Sequence, residues 1–116
     1  MSEECDEAEL LALLDDEYAR AILTATSTEP MSATDLAETC EMSPPTVYRR
    51  VERLKDCGLL AEDMQYAESG HHYAVYRATV DHVTVSFADG ELTVDVARQE
   101  EEAVADRFTR LYEGLR

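Results

Sequence analysis

Ser43, Thr46, Arg49, Arg50, Arg53 and Lys55 put two hydroxyls and four of the chain's ten basic residues into one short stretch. Guanidinium forks and hydroxyls at such density suit oxygen-rich anions. An arginine holds two oxygens of a phosphate, or two acceptors on a base edge, through parallel N–H bonds. The surrounding chain makes this cluster unusual, because the whole protein carries a formal net charge of −16 from twenty-six acidic residues. A solvated face that pairs with its acidic surroundings is the plain alternative.

The flanking residues predict how the cluster is presented. Ser43 is a favourable N-cap, and Pro44 and Pro45 suit a first helical turn, where a missing N–H costs nothing. Val47, Val51 and Leu54 recur at i, i+4 and i+7 and form one apolar stripe, with Thr46, Arg49, Arg50 and Arg53 on the other side. Cys57-Gly58 ends the helix, with Gly58 placed for a left-handed cap. Upstream, residues 31–40 read as a shorter helix capped by Ser32 or Thr34, with Leu36 and Ala37 facing inward. Glu41-Met42 then makes a tight connection to Ser43. Two helices joined by a three- to four-residue turn, the second of them basic, form a helix-turn-helix pattern, in which the second helix enters a DNA groove.

Leu36-Ala37, the run from Ser43 to Val51, and Leu54 to Leu60 together resemble the winged helix-turn-helix core of ArsR-like, MarR-like and PadR-like transcription regulators. The likeness extends over about residues 8–80. With its acidity and C-terminal region, the whole chain resembles the small haloarchaeal winged-helix regulators, a group with members in the oxidative-stress response. The resemblance implies an α+β fold: a winged helix-turn-helix, here with an extra β-hairpin and a C-terminal dimerisation helix. It places Ser43, Thr46 and Arg49 where the family meets DNA, and it gives no support for Tyr48. It also implies that the terminal helices pair with a partner subunit.

Composition sets further bounds. The 116 residues suffice for one domain with a modest core. No apolar run is long enough to span a bilayer, and the acidic start opposes a signal peptide, so a cytoplasmic protein is expected. The basic residues are nine arginines and one lysine, and a lysine-poor, acid-rich surface fits a halophile cytoplasm, where molar salt screens carboxylate repulsion. Cys5, Cys40 and Cys57 are odd in number and lack C-x-x-C spacing, which argues against a disulfide framework. Cys40 and Cys57 read as small helix-end residues.

Residues 1–7 read as an acidic lead, and residues 8–25 as helical, with an apolar arc too wide for one stripe. That width predicts burial on two sides, or a second helix starting at Asp15 or Asp16. Residues 58–64 and 72–78 read as the two wing strands around a turn at 67–70, with His71 and His72 at its base or tip and Gln65 opposite. Adjacent histidines on a strand point to opposite faces, so His71 and His72 are expected at a DNA backbone or surface rather than on a metal, and His82 is expected as a plain strand residue. Residues 81–97 alternate around Asp89-Gly90 and predict a second hairpin, read as added sheet over the core. Residues 98–116 read as a last helix with Val104, Phe108, Leu111 and Leu115 in a stripe.

The functional expectation is a regulator that binds a pseudo-palindromic double-stranded DNA site as a homodimer. Leu11, Leu14, Val104, Phe108, Leu111 and Leu115 are expected at its dimer interface. Thr46 and Arg49 are expected at base edges, Ser43, Tyr48, Arg50 and Arg53 mostly at phosphates, Lys55 among the DNA-binding residues, and Gln65, His71 and His72 on the wing. No resident cofactor or catalytic group is expected, although potassium or other cations can bridge carboxylates and phosphates at the interface. The rival readings are a winged helix serving protein contact in a transcription assembly and a ligand- or metal-responsive sensor.

Overall fold

The structure is a computed structural model that describes residues 5–99. Most of the expected acidic lead and nearly all of the expected C-terminal helix, with Val104, Phe108, Leu111 and Leu115, lie outside these residues. The chain divides into two compact units, one running through Thr79 and one starting at Val80.

The first unit contains α1 (Glu7–Asp15), α2 (Glu17–Thr26), β1 (Met31–Ser32), α3 (Ala33–Thr39), α4 (Pro44–Asp56), β2 (Leu60–Tyr66) and β3 (His72–Ala78). The wide apolar arc of residues 8–25 resolves into two helices. Asp16 is the hinge, an extended residue that ends α1 and caps α2 through its carboxylate, which accepts from the backbone N–H of Tyr18 and Ala19. Each short helix then buries its own stripe, Leu10 and Leu13 on α1 and Ala19 and Ile22 on α2.

Met31 and Ser32, read as helical from sequence, form a short strand instead. Ser32 therefore has two roles. It pairs with Val75 of β3, and its hydroxyl accepts from Asp35 N–H while the Asp35 carboxylate accepts from the Ser32 backbone N–H. This capping box starts α3 on the edge of the sheet. The sheet order is β1-β3-β2, all antiparallel, so β3 is central.

The start of α4 matches expectation, with Ser43 as N-cap and both prolines in the first turn. Val47, Val51 and Leu54 are fully buried, each worth about 1.5–3 kcal/mol in apolar transfer. Gly58 takes φ 71, so that Leu59 N–H reaches Leu54 O and Gly58 N–H reaches Lys55 O. This is a Schellman closure. It explains why β2 begins at Leu60 rather than at Gly58: the first two residues of the expected strand belong to the helix cap. Thr79 holds the same spot from the far end of β3, donating from its hydroxyl to Gly58 O and from its N–H to Leu59 O.

One expectation from the cysteines is overturned. Cys5 and Cys57 form a disulfide across 52 residues, both buried, while Cys40 stays a free, half-buried thiol at the C-cap of α3. Sequence spacing cannot show such a pair, because the packing of α1 beside the end of α4 brings the two sulfurs together. Burial pushes the Cys40 thiol up, away from reactive thiolate character.

The second unit holds β4 (Val80–Ala88) and β5 (Glu91–Arg98), which form a separate two-stranded antiparallel sheet. Asp89 and Gly90 both take positive φ, as a two-residue hairpin turn of the I′ type needs. The expected second hairpin is present with nearly the expected bounds. It does not extend the three-stranded sheet.

The cross-link generates a stability test. Closing a loop of this length is worth about 4 kcal/mol in the chain-entropy account, and measured losses run about 2–5 kcal/mol. Reduction, or Cys5→Ser, is therefore expected to lower the urea midpoint by the equivalent of about 2–4 kcal/mol. Cys40→Ser is expected to leave it unchanged. A wild-type midpoint indifferent to reductant would mean the pair is not closed.

Candidate nucleic-acid interface

The candidate surface is built on α4. With Val47, Val51 and Leu54 turned inward, helical spacing places Thr46, Arg49 and Arg53 together on one outer flank and Tyr48 and Lys55 on the other. Thr46 is half-buried, and its hydroxyl lies 2.9 Å from the Ser43 hydroxyl, which also caps the Thr46 N–H. The first-turn hydroxyls are thus fixed by the cap that starts the helix.

The four cations are not equivalent. Arg50 donates from Nε to Asp16 at 2.7 Å, is only 23% exposed in its side chain, and lies 5.7 Å from the centroid of the Tyr18 ring. Arg53 pairs with Glu9 at 3.2 Å, both ends being close to half exposed. Lys55 donates to Glu62 at 2.8 Å and sits 3.6 Å from Glu52. The hydrogen bond to Glu62, opposed by burial and helped by the charge of Glu52, raises the Lys55 pKa. Among the described residues, only Arg49 of the four has its side chain exposed with no protein partner.

Sequence reasoning could not see these pairings. Asp16 and Glu9 are 34 and 44 positions away from their partners, and only the packing of α1 and α2 on α4 delivers them. Exposed pairs are worth about 0–1 kcal/mol, so Arg53 can exchange Glu9 for another anion at small cost. Arg50 is held more firmly, since its carboxylate also caps α2. Burial raises the Asp16 pKa, but the N–H groups of Ala19 and Tyr18 and the Arg50 guanidinium outweigh it and hold the carboxyl below its ordinary value.

The β2–β3 hairpin projects an exposed polar and aromatic tip. His71 lies in the turn, where its carbonyl accepts from Ala67 N–H. Gln65 pairs with Tyr73 rather than with a histidine, and Tyr66 pairs with His72, the two rings meeting edge-on at 4.4 Å. Gln65 and His72 therefore occupy opposite faces and are not brought together. The structure adds side chains that the sequence reading passed over: Tyr66 (71% exposed), Met64 (51%) and Tyr73 (45%). The alternation of Met64 with Tyr66 was the available signal. Among the described residues, no three His, Cys, Asp or Glu side chains gather to hold a metal, and His82 sits on β4 beside Asp81. No helix among them is long and apolar enough to cross a membrane.

Two helices at a four-residue turn, the second exposing Arg49 beside a half-buried Thr46, followed by an antiparallel hairpin, decide the architecture. The fold is a winged helix-turn-helix. Residues 14–63 match a family model described as a helix-turn-helix domain. An ArsR-like transcriptional regulator from Rhodococcus sp. RHA1 is similar in structure, with a TM-score of 0.53 and 22% identity over 93% of this chain and 78% of that one. No curated protein matches the sequence. In winged helix-turn-helix terms, α4 is the second helix of the motif and β2–β3 is the wing.

Asp16 gives the winged fold its clearest electrostatic test. Asp16→Ala removes a cap and an ion pair and is expected to cost about 1–2 kcal/mol, whereas Asp16→Asn costs less because the amide oxygen still caps α2. A carboxyl titrating below its unfolded value adds stability that is complete above about pH 4 and is lost as pH falls through the folded-state pKa. Urea unfolding of Asp16→Asn against wild type should show a smaller acid loss in the variant.

Proposed function

We propose that this protein is a sequence-specific transcription regulator that binds double-stranded DNA through α4. The observation that carries the reading is the exposed, unpaired Arg49 beside Thr46 at the capped start of a helix-turn-helix second helix, in a chain of net charge −16. A helix start carries positive potential that favours an anion, and an arginine there can grip a guanine edge with two bonds.

In this reading Thr46 and Arg49 meet base edges. Arg53 reaches phosphate by releasing Glu9, and Ser43 and Tyr48 border the backbone. Arg50 and Lys55, expected from sequence as DNA contacts, act instead by seating α4 on α2 and β2 through Asp16 and Glu62. Gln65, His71 and His72 lie on the wing near the sugar-phosphate backbone, joined by Tyr66 and Tyr73. A homodimer presenting two copies of α4 to a pseudo-palindromic site completes the proposal, with the half-buried Leu11 and Leu14 of α1 on its contact surface. The cytoplasm of a halophile is its setting and stress response its regulatory context.

Charge shapes the mechanism. Ordinary DNA binding gains from counterion release, and that gain shrinks as salt rises. The acidic residues around α4 make bare approach repulsive, so cations such as potassium bridge carboxylates and phosphates in the complex. Binding therefore tolerates or needs high potassium.

Fluorescence anisotropy with DNA from the protein's own promoter, titrated with potassium chloride up to molar levels, tests this. Wild type is expected to bind at high salt and Arg49→Ala to lose about 1–3 kcal/mol, while Lys55→Ala changes affinity less. A steep ordinary loss of affinity with salt removes the cation bridge. Affinity indifferent to Arg49→Ala removes α4 as the reading element and favours a protein-contact role.

A further inference from the structure

The wing tip departs from the charge pattern of the rest of the chain. Residues 64–76 include one carboxylate, Glu68, and no lysine or arginine, in a protein with twenty-six acidic residues among 116. In place of charge the tip exposes Met64, Tyr66 and Tyr73. Register sorts these onto two faces. Glu62 with Tyr76, Met64 with Ala74 and Tyr66 with His72 share one face, while Gln65 and Tyr73 share the other. The first face abuts α4 at its base. Lys55 donates to Glu62 at 2.8 Å, and the buried Tyr76 phenol is pushed up in pKa by burial first and then by the charge of Glu62, with Lys55 and Tyr48 also acting on it. Apart from Glu62, which Lys55 neutralises, an uncharged strip therefore leaves α4 at the exposed Tyr48 and runs along the wing through Met64 to Tyr66.

We propose that this strip is a neutral minor-groove anchor: while α4 lies in a major groove, Tyr66 and Met64 enter the adjacent minor groove and rest against its deoxyribose walls. The inference rests on the reading of this protein as a DNA binder, and it names the residues and the kind of contact by which the wing holds the duplex. Reach supports it. Four residues of β2 carry Tyr66 about 13 Å past Glu62. Half of one duplex turn, roughly 17 Å, separates a major groove from the next minor groove. A minor groove about 6 Å wide excludes a helix but admits side chains, and apolar ones such as methionine are used there. The Tyr66 hydroxyl can donate to the adenine N3 and thymine O2 acceptors on its floor. The His72 ring, edge-on at 4.4 Å, restricts the swing of Tyr66, so less freedom is lost on contact.

Charge and continuity select duplex DNA as the occupant. A protein of net charge −16 approaches a polyanion at least cost through surface that lacks carboxylates. The strip also begins on α4, the helix that carries Arg49, so one duplex spans both. The contact differs in kind from those of the arginines. Each phosphate neutralised by a cation releases counterions, and log K then falls with log salt by about 0.9 per phosphate. An uncharged contact releases none, so its contribution persists in molar salt. The wing thus supplies a share of affinity that salt does not remove.

Anisotropy binding curves of the full chain on its own-promoter duplex, from low to molar potassium chloride, test this together with hydroxyl-radical footprints of the minor groove. The variants are Tyr66→Ala, Met64→Ala and Arg49→Ala. The first two change exposed side chains, and urea unfolding confirms that they fold as wild type does. Tyr66→Ala is expected to weaken binding about tenfold, by the same factor at every salt concentration, and Met64→Ala about threefold. Both should erase a minor-groove protection about half a turn from the bases that α4 covers. Tyr66→Ala with wild-type affinity overturns the proposal. So does a Tyr66→Ala loss that vanishes in molar salt, because the contact is then electrostatic. In either case a weakened Arg49→Ala leaves the α4 reading standing, and the wing anchor alone fails. If wild type binds no duplex at any salt concentration, both fall. A weakened Tyr66→Ala beside an unchanged Arg49→Ala keeps the anchor and removes Arg49 as the reading residue.

Discussion

Gly58 is the residue on which the placement of α4 turns. Its left-handed backbone lets the last turn close on Leu54 and Lys55, and the same three residues, Cys57 to Leu59, receive three more restraints. Cys57 is bonded to Cys5, Gly58 O accepts the Thr79 hydroxyl, and Leu59 O accepts the Thr79 N–H. The start of α1, the end of α4, the start of β2 and the end of β3 thus meet at one point. A helix that presents side chains to a rigid partner must not roll or slide, and burial of Val47, Val51 and Leu54 fixes only its roll. The closure at Gly58 fixes its position along its axis.

Electrostatics divides the labour among the arginines. In a chain this acidic, the fold determines which cations of α4 engage carboxylates: Arg50, Arg53 and Lys55 do, and among the described residues Arg49 does not. Arg50 is taken by Asp16, a residue already committed to capping α2, so breaking the pair would disturb a helix start as well. Arg53 is taken by Glu9, which has no second role among its described contacts. Arg49 lies one turn before Arg53 on the outermost face, where neither α1 nor α2 reaches. One helix thus grades its cations from structural to free by position alone.

Much of this was legible in the residues. Ser43, the two prolines, the Val47–Val51–Leu54 stripe and Gly58 specified α4 nearly to its ends, because capping and periodicity are local properties. Asp89-Gly90 between alternating runs specified the second hairpin for the same reason. What stayed hidden was long-range. Met31 and Ser32 form a strand only because β3 offers a free edge, which no local propensity announces. The Cys5–Cys57 bond and the pairing of Arg50, Arg53 and Lys55 likewise depend on which helix packs beside which. The composition of the site was readable, and its division into engaged and free groups was not.

The two-residue strand β1 has a mechanical implication. Met31 and Ser32 pair with Tyr76 and Val75, and Ser32 is at the same time the first residue of the α3 capping box. Val75 and Tyr76 are both buried although they point to opposite faces of the sheet. A slip of one position would exchange those faces and pull the cap away from its helix. The central strand therefore behaves like a keyed shaft: it admits one angular setting, and the wing at one end and α3 at the other inherit that setting together.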